Sequence, residues 1–372
     1  MQLQVADVSL QYFYSNFANP LQMWKFLNSE MLVILGLIED ASRTDAEIGE
    51  TYGLNKGTVA SIRRRLIDAG ALFYANVPAF NKLGCEMLGF HVGSTDPAIS
   101  SDVKTSNYVE FCEQAPQMFT GMIGGNLVTM YTALRNGTEF EEFCQSHNRF
   151  FSGQKRPSKA RIESVVFPYR VTKGVFVTNF APLVHKFFNL DVPPPKSRLP
   201  VTGSVETPDL SQTEKETLIA VVEHPDLSDR EIADIVKLSR QAVTRIRNKL
   251  LDSGIITPVC IPRLYRWGFE IYAVAQAKFS MDIPWEKRVR NEPRDVVELS
   301  FFTLSKADEG VGNYMISRFQ EYSENLESML AWYHKVKIFD EKPSIHVFPL
   351  ERCTELRNFE FGPAVRHILR SA

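Results

Sequence analysis

Shifting the sequence by 184 positions aligns two long segments of the chain without a gap, and any fold must respect that repeat. Glu47 meets Glu231, Ile48 meets Ile232, Leu54 meets Leu238 and Val59 meets Val243. Ile62-Arg63 meets Ile246-Arg247, and Leu66, Asp68 and Gly70 meet Leu250, Asp252 and Gly254. The register continues through Pro78/Pro262, Gly84/Gly268 and Glu86/Glu270. Near the end of each half a shift of 181 ties Val166-Phe167-Pro168 to Val347-Phe348-Pro349, and Phe180-x-Pro182-x-Val184 to Phe361-x-Pro363-x-Val365. Turn residues and apolar residues are both kept, so the pattern reads as an internal duplication with a small length difference in a loop. Between the copies, 191–209 contains Pro193-Pro194-Pro195, Pro200, Gly203 and Pro208 without apolar periodicity, which predicts a semi-extended linker.

Length and charge narrow the function. The 372 residues are 44% hydrophobic and 23% charged, enough for a real core in each of several domains. A net charge of −2 means that any nucleic-acid affinity must come from local basic faces. The apolar run Met31 to Ile38 is bounded by Glu30 and Glu39, too short for a bilayer and unlike a signal peptide. Cys85, Cys112, Cys144, Cys260 and Cys353 are odd in number and never spaced CxxC, and the seven histidines show no ligand spacing. The expectation is a cytoplasmic protein with no membrane partner, no metal and no cofactor.

Each copy opens with the same local grammar. Thr44-Asp45-Ala46-Glu47 and Ser228-Asp229-Arg230-Glu231 are capping boxes that predict short helices over 45–52 and 229–236. A tight turn follows, Gly53-Leu54-Asn55 or Lys237-Leu238-Ser239, with Asn55 and Ser239 suited to cap the next helix. That helix, 56–69 or 240–253, places Val59, Ile62 and Leu66, or Val243, Ile246 and Leu250, on one face. The rest of its surface is basic. Lys56, Arg63, Arg64 and Arg65 against Asp68 give a formal +3, and Arg240, Arg245, Arg247 and Lys249 against Asp252 give the same. A basic second helix after a short turn is what docking in a major groove requires. A solvated cationic face is the plainer reading of one such helix; two copies that share a capping box, a tight turn and a basic second helix favour DNA.

After Gly70 and Gly254, predicted helix stops, Ala71 to Ala75 and Ile255 to Val259 read as strands that start a wing or lead into the next domain. The segments Asp68-Ala69-Gly70-Ala71-Leu72 with Leu83-Gly84, their copy Asp252-Ser253-Gly254-Ile255-Ile256 with Gly268, and Phe119-Thr120-Gly121 before the strand Leu127 to Leu134 resemble the Lrp/AsnC family of transcription regulators. The resemblance is to a tandem, archaeal-like member, two fused subunits on one chain. It implies an α+β fold, two copies of a winged helix-turn-helix plus a ferredoxin-like βαββαβ domain, joined as an internal pseudo-dimer. The residues agree. Copy one predicts strands near 86–93, 117–123, 126–134 and 160–167 with helices near 106–115 and 138–149. Copy two predicts strands near 269–279, 296–303, 311–317 and 344–348 with helices near 285–291 and 320–334. Apolar segments at 179–190 and 360–370 predict an extra helix ending each half. The expected domains are 1–80, 81–190, the linker 191–209, 210–264 and 265–372.

Double-stranded DNA is the expected partner, with a homo-oligomer and a small-molecule effector as further candidates. Lys56, Thr58, Ser61, Arg63, Arg64 and Arg65 are the candidate contacts in copy one. Arg240, Gln241, Ala242, Arg245, Arg247 and Lys249 are those in copy two. Arg245 suits guanine and Gln241 suits adenine. The two copies differ at reading positions, so the expected operator is an imperfect palindrome. Arg63 and Arg247, kept in both copies, fit a phosphate contact or a structural ion pair equally. Effector candidates are Thr120, Gly121, Gly124, Gly125 and Asn126, against a plain hairpin turn as the simpler reading. An enzyme resembling tetrapyrrole decarboxylases, which share this build, is the main alternative, and a protein-interaction scaffold the second. A catalytic site would need histidines or arginines gathered in a pocket, and here they are dispersed; His91, His147, His334 and His346 read as ordinary partly buried residues, and no catalytic residue is assigned.

Overall fold

The same order of elements forms twice. A computed structural model describes residues 25–153, 161–176, 178–189, 204–206, 209–290, 298–337 and 339–370; most of the expected linker and of the segment before the first helix lies outside them. The first head is α1 (Asn28–Glu39), α2 (Asp45–Tyr52), α3 (Lys56–Asp68) and β1 (Leu72–Pro78). Its α/β part is β2 (Met87–Ser94), α4 (Ser101–Gln114), β3 (Met118–Gly124), β4 (Leu127–Leu134), α5 (Gly137–Ser152) and β5 (Arg161–Pro168), followed by β6 (Gly174–Phe176) and α6 (Ala181–Phe188). The second head is α7 (Gln212–Glu223), α8 (Asp229–Val236), α9 (Arg240–Asp252) and β7 (Ile256–Pro262). Its α/β part is β8 (Ile271–Lys278), α10 (Trp285–Arg290), β9 (Ser300–Ser305), β10 (Glu309–Ile316), α11 (Phe319–Val336) and β11 (Ser344–Pro349), followed by β12 (Cys353–Arg357) and α12 (Gly362–Arg370).

Caps start the helices where the sequence predicts. The Glu47 carboxylate accepts the Thr44 N–H at 2.7 Å while Thr44 Oγ1 accepts from Glu47 N, and Ser228 with Glu231 repeats this at 2.8 Å. These bonds hold both glutamates below the usual carboxylate range.

Each α/β part is a βαββαβ unit whose strands are all antiparallel, in the orders β12-β3-β4-β2-β5 and β11-β8-β10-β9-β6. The end strands β12 and β6 are exchanged: β12, from the second half, completes the first sheet, and β6, from the first half, completes the second. Gly124 makes room for the first exchange, because a Cβ there would sit 2.4 Å from Cys353 Sγ. Arg357, at the end of β12, then donates to the carbonyls of Cys112 at 2.5 Å, Ala115 at 3.0 Å and Met118, tying down the C-terminus of α4 across the halves.

The heads also share a sheet. The strand that ends each head pairs across the halves, β1 with β7, antiparallel, from Leu72 opposite Pro262 to Pro78 opposite Ile256. Ala75 faces Val259, its own counterpart at the repeat distance, so the pseudo-twofold axis passes through that pair. The inner faces of the two large sheets pack together through Tyr131 on Phe302, 4.5 Å between ring centroids. Behind them the Tyr131 and Tyr272 hydroxyls both donate to Asn313 Oδ1, at 2.8 and 2.6 Å, and Asn313 Nδ2 donates to Phe302 O. All three polar side chains are buried and satisfied. A separate apolar cluster, including Tyr108, Phe111, Phe143 and Phe151, fills the space between the first sheet and α4 and α5.

Two expected outcomes test this packing. Arg357→Ala removes a charged donor from three carbonyls and should cost about 2–3 kcal/mol of stability, read from urea denaturation. His91 is fully buried, with its ring nitrogens on Ser164 Oγ and Thr132 Oγ1, and burial pushes it down to about 3 from 6.5; burial pushes His147 down to about 4. Both imidazoles stay neutral in the fold and bind protons on unfolding. Stability should therefore fall as pH drops below their unfolded value of 6.5, by up to about 2.7 kcal/mol per pH unit until the folded values are approached. Urea midpoints that stay level from pH 7 to pH 4.5 would contradict it.

Candidate nucleic-acid interface

Each recognition helix stands on three buried residues, Val59, Ile62 and Leu66 in α3 and Val243, Ile246 and Leu250 in α9. Asn55 Oδ1 accepts the Gly57 N–H at 2.8 Å and Ser239 Oγ accepts that of Ala242 at 3.2 Å, so both residues cap. The turn before each helix passes through a left-handed residue, Gly53 at φ 68° and Lys237 at φ 57°. Gly49 lets the first turn close tightly, since a Cβ there would lie 2.5 Å from Leu54 O.

The far ends of both helices are held in trans. Lys82 Nζ donates to Ser253 O at 2.6 Å, capping α9 with a cation from the first half. Arg266, its repeat counterpart, donates to Ala69 O at 2.8 Å and caps α3 from the second half. Trp267 Nε1 adds a bond to Ala71 O, and Asn76 Nδ2 one to Val221 O. The two recognition helices are thereby fixed to each other as well as to their own heads.

Their outer faces carry Lys56, Thr58, Ser61, Arg64 and Arg65 on one helix and Arg240, Gln241, Arg245 and Lys249 on the other, all exposed; Ala242 is half-buried. The cations do not all serve that face. Arg63 pairs with Asp45 at 2.8 Å and donates to Arg43 O, and Arg247 pairs with Asp229 at 2.7 Å and donates to Leu227 O. Arg63 and Arg247 thus join the recognition helix to the start of the helix before it, the ion pair that the sequence offered beside a phosphate contact. Arg65, 53% exposed, reaches Glu30, 6% exposed, at 2.5 Å, and Lys249 reaches Glu214 at 2.6 Å. The same carboxylates cap α1 and α7 through Leu27 N and Ser211 N. Lys249, then the Ser211 N–H, hold Glu214 below the usual carboxylate range. Arg65 and Lys249 are thus paired with the first helix of their own head while their side chains stay half exposed. Lys56, Arg64, Arg240 and Arg245 remain as exposed cations with no ion-pair partner among the described residues. The sequence held the signal for this split: Asp45/Asp229 and Glu30/Glu214 are all kept at the repeat distance.

The five effector candidates are not brought together. Gly125, at φ 58°, and Asn126 form the β3–β4 hairpin tip, where Asn126 Oδ1 accepts from Lys104 Nζ at 2.7 Å. Gly124 packs on Cys353, while Thr120 Oγ1 donates to Arg357 O at 3.3 Å. Thr120 and Gly121 alone of the five border the space between the halves, a cavity of 60 Å³ that also touches Tyr131, Tyr272, Arg263 and Glu355. Hairpin geometry and strand exchange account for the glycines. His91 and His147 are core residues, and the lining of that cavity holds no histidine. Among the described residues no cluster of His, Cys, Asp and Glu is arranged to hold a metal, and no helix is long and apolar enough to cross a membrane.

A winged helix-turn-helix DNA-binding family matches residues 210–257, the second head through the first residues of β7. No curated protein matches the sequence. Among solved structures, the siroheme decarboxylase NirDL is similar over 92% of this chain and 99% of its own, at 11% identity and a TM-score of 0.50. E. coli AsnC is similar over 38% of this chain and 92% of its own, at 14% identity and a TM-score of 0.31. Mycobacterium tuberculosis LrpA, a leucine response regulatory protein, covers 38% and 91% at 18% identity, with a TM-score of 0.30. The whole-chain likeness bears on the fold, two winged-helix and ferredoxin-like units in tandem.

The division of the cations has a direct check. Arg63→Ala should cost about 1–2 kcal/mol of stability, because Asp45 loses its ion-pair partner, whereas Arg64→Ala should change it by no more than about 0.5 kcal/mol. Equal losses in urea denaturation would return Arg63 to the surface set.

Proposed function

We propose that this chain is a sequence-specific, double-stranded-DNA-binding regulator of transcription with two reading heads on one polypeptide. In this reading the heads, 1–80 and 210–264, are carried by the α/β units 81–190 and 265–372 and joined through the 191–209 linker. The observation that carries it is the pair of recognition helices on one pseudo-twofold axis, each turning two uncommitted cations outward. DNA has matching twofold symmetry, with major-groove faces recurring every helical turn of about 10 base pairs. Fixed heads meet two half-sites at one fixed spacing, and because α3 and α9 differ on their outer faces the two half-sites are not alike, an imperfect palindrome at most.

A catalytic reading is less well supported by the site. The space between the halves, at 60 Å³, is far below the roughly 300–1,000 Å³ of ordinary small-molecule pockets. Its border includes Arg357, whose guanidinium is occupied by three carbonyls.

Binding of fluorescein-labelled DNA from the protein's own upstream region, followed by anisotropy across a salt series, tests the proposal. Neutralisation of three phosphates by Lys56, Arg64 and Arg240 predicts a slope of log K against log salt of about −2.7. A preference for this DNA over random competitor should accompany it. Binding that is absent, or indifferent to both sequence and salt, refutes the reading.

A further inference from the structure

The two heads are held alike but armed differently. At the repeat distance, Lys56 corresponds to Arg240, Gly57 to Gln241, Thr58 to Ala242, Ala60 to Thr244, Ser61 to Arg245 and Arg64 to Asn248. In α9 the first two turns expose Arg240, Gln241 and Arg245. Thr244 is not part of that set, since its hydroxyl donates to Asp229 Oδ2 at 2.6 Å. Gln241 and Arg245 lie four residues apart, on one face of the helix. The glutamine amide, with one donor and one acceptor, suits adenine in the major groove, and the paired donors of arginine suit guanine.

In α3 the same positions are Gly57 and Ser61, beside Thr58 and Ala60. A hydroxyl pairs with several base edges, and glycine and alanine offer no hydrogen-bonding group at all. The long side chains on that face are Lys56 and Arg64, eight positions and about two turns apart, bracketing a stretch of short ones. That spacing suits gripping the backbone on either side of a groove. Nothing crowds the missing positions: a Cβ on Gly57 would meet only Asn55 Oδ1 at 3.3 Å, and Ser61 is exposed. The short residues are not forced by packing.

Resting on the DNA-binding reading above, we infer that the heads divide the work: α9 reads sequence through Gln241 and Arg245, while α3 anchors to phosphates through Lys56 and Arg64 with little base preference. The operator is then one defined half-site, containing an adenine and a guanine contacted by α9. A second half-site lies at a set distance, where almost any sequence serves but duplex must be present.

Selection of bound sequences from a random duplex pool by the full chain, followed by anisotropy on single-base variants of the selected site, tests this. One half-site should lose about 10-fold or more in affinity on changing the adenine or guanine, and the other less than about 3-fold at every position. Deleting the degenerate half-site should still weaken binding. The double variant Gly57→Gln/Ser61→Arg should turn the selected site into a near-palindrome. The reverse variant, Gln241→Gly/Arg245→Ser, should flatten the selection while leaving the salt slope nearly unchanged, because the phosphate contacts stay. Two equally defined half-sites in the parent, or a transplant that leaves the second half-site degenerate, overturns the division of work while leaving DNA binding intact. A pool that enriches nothing overturns the DNA-binding reading itself, and the division with it.

Discussion

The ladder between β1 and β7 is the contact on which the rest depends. Each strand follows a recognition helix and finds its partner in the other half, so neither head completes its own sheet. A strand with an open edge leaves its N–H and C=O groups to water or to another chain, and pairing the two edges removes that liability. The same pairing puts Lys82 and Arg266 at the C-termini of α9 and α3, where a cation meets the negative end of the helix dipole. From one seven-residue ladder follow the symmetry axis, the trans caps and the fixed relation of the recognition helices.

Electrostatics is apportioned as strictly as the backbone. The formal +3 on each recognition helix overstates the field offered to a partner, because two cations in each head are matched by carboxylates of the same head. Those pairs join the recognition helix to the two helices before it, which orients the helix, and orientation is what a rigid reader requires. Exposed ion pairs contribute little to stability on their own. Arg63 and Arg247 differ by being half-buried and by adding a bond to a carbonyl, so their loss leaves an unmatched aspartate at a helix start.

What was legible in the sequence was what local chemistry decides. The capping boxes, the i, i+3, i+7 stripes and the strand–helix order of both α/β units could be read because each rests on residues a few positions apart. The final helices α6 and α12 were legible for the same reason. The exchanged strands β6 and β12 were not, since their reason for being strands is an edge far away in sequence: Cys353 pairs with Gly124 and Val175 with Leu304. The pairing of β1 with β7 was hidden likewise, because nothing in Ala71 to Ala75 reveals that its partner is the same segment of the other copy. At the recognition helices, exposure was legible from periodicity, whereas commitment was not. Arg63 and Arg64 are neighbours of one type, and only the position of Asp45 tells them apart.

Two like halves on one chain escape a restriction that a symmetric dimer must obey. Tyr131 and Asn313 are each the fifth residue of corresponding eight-residue strands, β4 and β10, and they meet across the halves with Tyr131 Oη donating to Asn313 Oδ1. In a dimer of identical subunits one position would have to serve as both tyrosine and asparagine. Tyr272 completes the arrangement from β8, where the first half has Leu88. Burying these groups is tolerable because each is satisfied, and two complementary residues satisfy one another more fully than two copies of either. The same freedom acts on the surface, where Gly57 and Ser61 could diverge from Gln241 and Arg245 without disturbing a single cap or core contact. Backbone symmetry is kept where the ladder and the trans caps need it, and side-chain symmetry is released elsewhere.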